Sequence, residues 1–198
     1  MITIHREEFI NIVFNIGLDC SHQYDTIVSS VILGDKFVAL KNIGYSVELA
    51  HVVSVLLAKY KEDFGYSNTI DAIINTGNRK IIQLEWDVFS SMKYKIYYPS
   101  FINIFYILVL FCDPKYTLGT LFWEISKQVC EDPKLLYSTN PKTIVLAVIL
   151  LYQRGKLKAV RDNKMRMFKE LIERLSYEYQ VHQTLIIKKY IELKRNQC

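Results

Sequence analysis

The sequence predicts an all-α protein, and three observations favour this class. Seven glycines and four prolines among 198 residues are too few for the many tight turns of a β-rich fold. Hydrophobic residues make up 51% of the chain, which is enough to fill one large core or two smaller ones. These residues recur at intervals of three and four, the spacing of amphipathic helices, so we expect about ten helices in two sets of five.

Residues 1–98 contain the first set of predicted helices. We expect one helix over residues 6–16, and Asp25 is the expected N-cap of the second. The third has the most regular pattern, with apolar residues at positions 49, 52, 53, 56, 57 and 60. A short fourth helix is expected between Asn68 and Gly77, and a fifth carries apolar residues at positions 81, 84, 88 and 92.

Residues 99–198 contain the second set. Residues 101–111 are apolar almost all round, which is typical of a buried central helix. A helix with apolar residues at 118, 121, 122, 125 and 129 follows, between breaks at Asp113-Pro114 and Asp132-Pro133. Asn140 and Pro141 suit the N-cap and first position of a helix through residues 144–152. Apolar spacing predicts the last two helices within residues 165–179 and 186–193.

The sequence contains none of the common motifs for phosphate, metal or redox chemistry. The nearest glycines, Gly34 and Gly44, lie ten apart, which excludes a Gly-rich phosphate loop. The four cysteines form no C-x-x-C pair and the four histidines no H-E-x-x-H pattern, so we expect no metal, no cofactor and no catalysis. Scattered thiols are typical of a reducing compartment, and the charged N-terminus does not resemble a signal peptide. The longest apolar runs are also shorter than the roughly 20 residues that a membrane span needs. The sequence therefore predicts a soluble protein of the nucleus or cytoplasm, with no membrane partner.

Positive charge is concentrated towards the C-terminus. Residues 153–198 hold 12 Lys and Arg against 5 Asp and Glu, whereas the rest of the chain holds 13 against 15. A basic stretch of this kind is typical of a solvated helical face, and it can also bind phosphates or an acidic partner. The imbalance alone does not decide between these interpretations.

Motifs along the whole chain, taken in order, resemble those of the cyclin family. Around the first two helices they are Arg6, Ile16-Gly17, Asp25-Thr26-Ile27 and Asp35-Lys36-Phe37-Val38. The third helix ends in Val55-Leu56-Leu57-Ala58-Lys59-Tyr60-Lys61-Glu62, which is similar to Leu-Leu-Ala-Ala-Lys-Tyr-Glu-Glu of that family. Leu84-Glu85 is followed ten residues later by Tyr94-Lys95-Ile96 and then by Pro99-Ser100, and Pro141-Lys142-Thr143-Ile144 opens a similar helix of the second set.

The resemblance implies tandem five-helix cyclin boxes, an N-terminal, kinase-binding one in residues 1–98 and a C-terminal one in residues 99–198. A chain of this kind is a regulatory subunit, not an enzyme, and activates a cyclin-dependent protein kinase in a heterodimer by packing on its C-helix. The two signature contact residues of the family correspond to Lys59 and Glu85. The apolar anchor around them would comprise Leu56, Tyr60, Phe89, Tyr94 and Ile96. Arg6 and Asp35 correspond to an ion pair that joins the first two helices within the protein.

Other features limit this interpretation or compete with it. Many cell-cycle cyclins dock substrates on Met-Arg-Ala-Ile-Leu, but His5-Arg6-Glu7-Glu8-Phe9 stands here, which favours a divergent or transcription-type cyclin without the usual docking patch. The alternative function is a cyclin-fold, nucleic-acid-binding transcription factor that bridges polymerase and promoter, with bases stacked on Tyr94, Tyr97 and Tyr98. Nucleic acid is the less favoured partner, because the companion zinc ribbon is missing and Glu85 has no role in that function.

Overall fold

The computed structural model describes residues 2–61, 79–112, 120–156 and 180–195, together with residues 169–170, 172–174 and 176–177. This part of the chain is mostly helical, which confirms the all-α class. The chain divides into two compact units, Met1–Ser100 and Phe101–Cys198. The expected helix between Asn68 and Gly77, the break at Asp113-Pro114 and most of the helix within residues 165–179 lie outside the described residues. That either unit is a cyclin box stays a prediction.

Four helices and a short strand pair are described in the first unit. The helices are α1 (Arg6–Asp19), α2 (Tyr24–Lys41), α3 (Val47–Lys61) and α4 (Arg79–Ser91), and the strands are β1 (Thr3–Ile4) and β2 (Tyr45–Ser46). The strands pair antiparallel, with Thr3 opposite Ser46 and Ile4 opposite Tyr45. Two residues are too few to show the alternating pattern of a strand, so nothing in the sequence predicts this pair.

Helix α3 is the centre of the first unit and packs against α1, α2 and α4. Five of the six residues in its predicted apolar stripe are buried: Leu49, Val52, Val53, Leu56 and Leu57. Burial of side chains of this size contributes roughly 1.5–3 kcal/mol each to folding. The sixth, Tyr60, lies in the last turn and exposes more than half of its surface, so the stripe continues from the core onto the outside of the unit.

Helix α2 begins at Tyr24, and Asp25 is not its N-cap. Gln23 occupies the N-cap position and makes no side-chain capping bond. Asp25 lies in the first turn of the helix, where it is buried and accepts a hydrogen bond from the Ser100 hydroxyl at 2.7 Å. The expected capping role is therefore wrong, because partners distant in sequence take up the carboxylate.

Helices α1 and α2 approach each other closely at two glycines. A Cβ atom on Gly17 of α1 would overlap Ile27 of α2, and a Cβ atom on Gly34 of α2 would overlap the Phe9 ring of α1. Phe9 and Ile27 are both buried. Each glycine thus leaves room for a core side chain of the facing helix, which keeps the interior at close packing.

The described part of the second unit is built around the apolar helix Pro141–Lys156. Its described helices are α5 (Phe101–Cys112), α6 (Thr120–Glu131), α7 (Pro141–Lys156) and α8 (Gln183–Arg195), with a π-helical turn at Lys134–Ser138. Helix α7 packs against α5 and α8, and its residues 143–151 are buried. The Phe105 and Phe122 ring centroids lie 4.3 Å apart and join α5 to α6.

Side-chain caps stand at the predicted helix start, Asn140, and at one of the predicted breaks, Asp132-Pro133. Asn140 Oδ1 accepts the backbone N–H of Lys142 at 2.9 Å, which confirms the predicted cap of α7. Asp132 Oδ1 accepts the backbone N–H groups of Lys134 and Leu135 at 2.8 and 3.3 Å. The Asp132-Pro133 break therefore both follows α6 and supports the start of the π-helical turn.

Candidate partner-binding site

An ion pair joins the last turn of α3 to α4. Lys59 Nζ lies 2.6 Å from Glu85 Oε1, although the two residues are 26 positions apart. Lys59 follows the buried part of the α3 stripe, and Glu85 follows the buried Leu84 of α4, so both stand at the edge of the core. Their side chains are 22% and 25% exposed. The pair is therefore accessible from solvent and also shielded enough to keep a defined geometry.

Four aromatic side chains of α3, α4 and the turn after α4 pack together and form what we call the aromatic cluster: Tyr60, Trp86, Phe89 and Tyr94. Phe89 is its centre, because it stacks on Tyr60 at 5.4 Å between centroids, meets Tyr94 edge-on at 4.8 Å and lies 6.4 Å from Trp86. The other three rings each expose more than half of their surface. A contiguous exposed aromatic surface of this kind is typical of a protein-interaction site.

The turn after α4 holds Tyr94 in the aromatic cluster. Lys93 and Tyr94 both adopt left-handed backbone conformations, with φ of 50° and 62°. The Tyr94 N–H donates to the Phe89 carbonyl at 3.1 Å, and the Lys93 N–H donates to the Ser90 carbonyl at 3.0 Å. Left-handed conformations are uncommon for bulky residues and cost about 1–3 kcal/mol each. The chain thus accepts local strain at the point where it presents an exposed tyrosine.

The structure brings together most, but not all, of the residues that the resemblance assigns to kinase binding. Lys59 pairs with Glu85, and Tyr60, Phe89 and Tyr94 pack together. Phe89 lies one helical turn after Glu85, so the ion pair and the rings meet on one face of α4. Leu56 and Ile96, in contrast, are only 2% and 5% exposed. We therefore correct their expected role: they are core residues of the first unit, and they leave almost no surface for direct contact with a partner.

Two exposed residues of α4 were missed in the sequence. Ile82 and Trp86 are four positions apart, so they lie on one face of the helix, and each exposes more than half of its surface. The signal that would have found them is a second apolar spacing in α4, offset from the buried pair Leu84 and Val88. Such an offset indicates a helix with apolar residues on its outer face as well as on its inner one.

A separate ion pair joins α1 to α2. Arg6 Nη2 lies 2.6 Å from Asp35 Oδ2, and Arg6 Nε donates to both carboxylate oxygens at 3.1 and 3.2 Å. The Tyr45 hydroxyl of β2 donates to Asp35 Oδ1 at 2.9 Å. Burial, followed by the charge of Asp35 and this hydrogen bond, raises the pKa of Tyr45 to about 12, although Arg6 opposes the shift. Arg6 and Asp35 thus bond within the first unit.

A further set of polar contacts holds residues 95–100 against the helices of the first unit. Asp25 forms an ion pair with Lys61, and their side chains are only 4% and 21% exposed. The Ser100 hydroxyl donates to the same carboxylate, and the Ser29 hydroxyl donates to the Tyr98 carbonyl at 3.2 Å. These contacts connect the start of α2, the end of α3 and the segment that follows α4. We call Asp25, Lys61 and Ser100 the buried polar network.

Lysine ammonium groups lie over two tyrosine rings of the same segment. Lys61 Nζ is 4.7 Å from the centroid of Tyr97, and Lys36 Nζ is 4.5 Å from that of Tyr98. Both distances are within the range of cation–π attraction. One face of each ring is therefore already in contact with a cation of the protein.

Some kinds of site are not found among the residues that the structure describes. In this part of the chain, no three His, Cys, Asp or Glu side chains converge in a group that could hold a metal ion. None of the described helices has the length and apolar character needed to cross a membrane.

No model of a known protein family matches the sequence. A comparison with curated proteins also gives no match.

Proposed function

We propose that this chain is a cyclin-like regulatory subunit that binds and activates a cyclin-dependent Ser/Thr protein kinase. The observation that carries the proposal is the Lys59–Glu85 ion pair in its setting of exposed aromatic rings. These are the two positions that resemble the signature kinase contacts of the cyclin family. They are distant in sequence, and the fold nevertheless holds them side by side at the surface.

The chemistry of the pair suits a partner helix. Lys59 can donate to a backbone carbonyl and Glu85 can accept from a backbone N–H, and both bonds are strengthened by charge. The aromatic cluster supplies the apolar area that excludes water from such bonds, as interface hot spots do. Packing of this surface on the C-helix of a kinase would stabilise its inward position, where the Lys–Glu pair of the ATP site is assembled.

The positions of the tyrosines favour a kinase over a nucleic acid as the partner. Base stacking would require free ring faces on Tyr94, Tyr97 and Tyr98. Lys61 and Lys36 lie over one face of Tyr97 and Tyr98, so a base on that face would have to displace a cation. Tyr94 is strongly exposed, but its ring contacts Phe89 within the aromatic cluster.

Capture of the full chain from an extract of its native cells tests the proposal. Bound proteins are identified by mass spectrometry, and kinase activity is measured on the bound fraction with and without added chain. We expect a cyclin-dependent kinase that is more active in the complex. Recovery of no protein kinase would refute the proposed function.

Two variants and one control then test the site. Lys59→Ala/Glu85→Ala should weaken kinase binding about 30-fold, because loss of a hot spot is worth about 2 kcal/mol. The exchanged pair Lys59→Glu/Glu85→Lys keeps an ion pair within the chain but inverts both recognition groups, so it should bind at least as weakly as the alanine double variant. Lys127→Ala/Glu131→Ala removes a more exposed pair of α6 and should bind normally. Normal binding by the exchanged pair would assign Lys59 and Glu85 to stability alone.

A further inference from the structure

The outer face of α4 extends the candidate site beyond the residues that the resemblance identifies. Ile82 and Trp86 lie one turn apart on this face, and Trp86 is 58% exposed. With 100° of rotation per residue, Trp86 lies between Phe89 on one side and Asp87 on the other. The indole ring thus stands at the border between the aromatic cluster and a polar edge of the helix.

That polar edge carries a negative charge. Asp87 Oδ1 accepts a hydrogen bond from the side-chain amide of Gln83 at 2.9 Å. The amide is uncharged, so this bond orients the carboxylate without neutralising it. The neighbouring carboxylate of Glu85, in contrast, has Lys59 at 2.6 Å. Trp86 and Asp87 leave the helix about 100° apart, so the exposed indole and the oriented carboxylate flank one edge of α4, and together they are complementary to a cation.

Arginine is the cation whose chemistry fits both groups. Its planar guanidinium stacks on aromatic faces, of which tryptophan is the most favourable, and its N–H groups donate to a carboxylate in a fixed fork. A lysine ammonium would satisfy the carboxylate without stacking as a plane. An aliphatic side chain would cover the indole and leave the carboxylate without a cation.

We propose that Trp86 and Asp87 together bind an arginine side chain of the partner kinase. The guanidinium lies on the indole of Trp86 and donates to the carboxylate of Asp87, on the side of Trp86 that faces away from the Lys59–Glu85 pair. This inference rests on the proposed function, because the kinase supplies the arginine. It makes Trp86 and Asp87 determinants of which kinase the chain selects.

Affinity measurements on the full chain test this proposal, with the kinase recovered by capture, purified and labelled, as the probe. Asp87→Asn should weaken binding about tenfold, as expected for the loss of a charged hydrogen bond, and should make the affinity less sensitive to salt. Trp86→Leu keeps an apolar side chain and should weaken binding about fivefold. Glu8→Gln removes an exposed carboxylate of α1, and Leu40→Ala removes an exposed apolar side chain of α2. Both controls should bind like the unaltered chain.

Charge reversal identifies the arginine and separates the two proposals. Asp87→Arg should abolish binding, and one Arg→Asp variant among the surface arginines of the kinase should restore it. An unaltered chain that binds no kinase overturns both proposals. A chain that binds the kinase through Lys59 and Glu85, but whose Asp87→Asn and Trp86→Leu variants bind normally, overturns the arginine site and leaves the proposed function standing.

Discussion

Removal of the Asp25 charge should destabilise the first unit far more than removal of a surface carboxylate. Asp25→Asn keeps the shape of the side chain and an oxygen that can accept from Ser100, but it removes the negative charge that faces Lys61. The loss of one partner from a buried ion pair costs about 3–5 kcal/mol. Lys61 is 21% exposed and regains some hydration, so we expect a loss of about 2–3 kcal/mol.

Asp25→Ala should cost more than Asp25→Asn. It also leaves the Ser100 hydroxyl without its acceptor, and a hydrogen bond to a charged group is worth about 1.5–3 kcal/mol. The expected total is therefore about 3.5–6 kcal/mol. Glu131→Gln is the matched control, because it breaks an exposed i,i+4 pair with Lys127 whose atoms are 3.8 Å apart, and it should cost at most about 0.5 kcal/mol.

Urea unfolding measures these differences one unit at a time. The chain has two tryptophans, Trp86 in the first unit and Trp123 in the second. In a Trp123→Phe background the fluorescence reports on the first unit, and the free energy of unfolding follows from the midpoint and slope of the transition. The Glu131→Gln control is measured by the fluorescence of Trp123 in a Trp86→Phe background. A loss below about 0.5 kcal/mol for Asp25→Asn would refute the reasoning, since it would place Asp25 among ordinary surface charges.

Two further predictions concern packing and pH. Gly34→Ala should lower the free energy of unfolding by about 1–3 kcal/mol, although alanine is the better helix former, because the new methyl meets the Phe9 ring. Adding Phe9→Leu should recover part of this loss, and a more stable single variant would contradict the overlap. The raised pKa of Tyr45, about 12 against 10.0 for the unperturbed group, predicts stability that is full below pH 10 and falls as the pH rises from about 10 to about 12, because the unfolded chain ionises first. The difference in stability between the unaltered chain and Tyr45→Phe should therefore shrink in that window, and a constant difference would count against the shift.

Local spacing was enough to predict the helices that the structure describes, because helix formation depends on residues three and four apart. The α3 stripe and the Asn140 cap were predicted from such short spacings and are present in the structure. Asp25 was misassigned for the same reason. Its position before an apolar run is typical of a cap, whereas its actual partners come from Lys61 and Ser100, and Ser100 is 75 positions away.

The sequence alone could not show which residues form the candidate site, because that depends on the fold. The sequence spacing of Leu56 and Tyr60 puts both on one face of α3, yet only Tyr60 reaches the surface because the core ends between them. Trp86 shows the opposite error to Leu56. A tryptophan is commonly assigned to a core, but this one is exposed. Which part of an apolar stripe is covered depends on where the neighbouring helices end, and no local pattern contains that information.

The last turn of α3 links the candidate site to the buried polar network. Lys59 and Lys61 are two residues apart, so their side chains leave the helix about 200° apart and reach different elements. Lys59 meets Glu85 of α4, whereas Lys61 meets Asp25 of α2. The Asp25–Lys61 ion pair thus anchors the last turn of α3 to α2. Because Lys59 lies in the same turn, its position also depends on this ion pair, which is not part of the proposed kinase-binding surface. A folded Asp25→Asn chain should therefore bind the kinase more weakly than the unaltered chain, but more tightly than Lys59→Ala/Glu85→Ala. Unchanged affinity would show that α4 alone positions the pair.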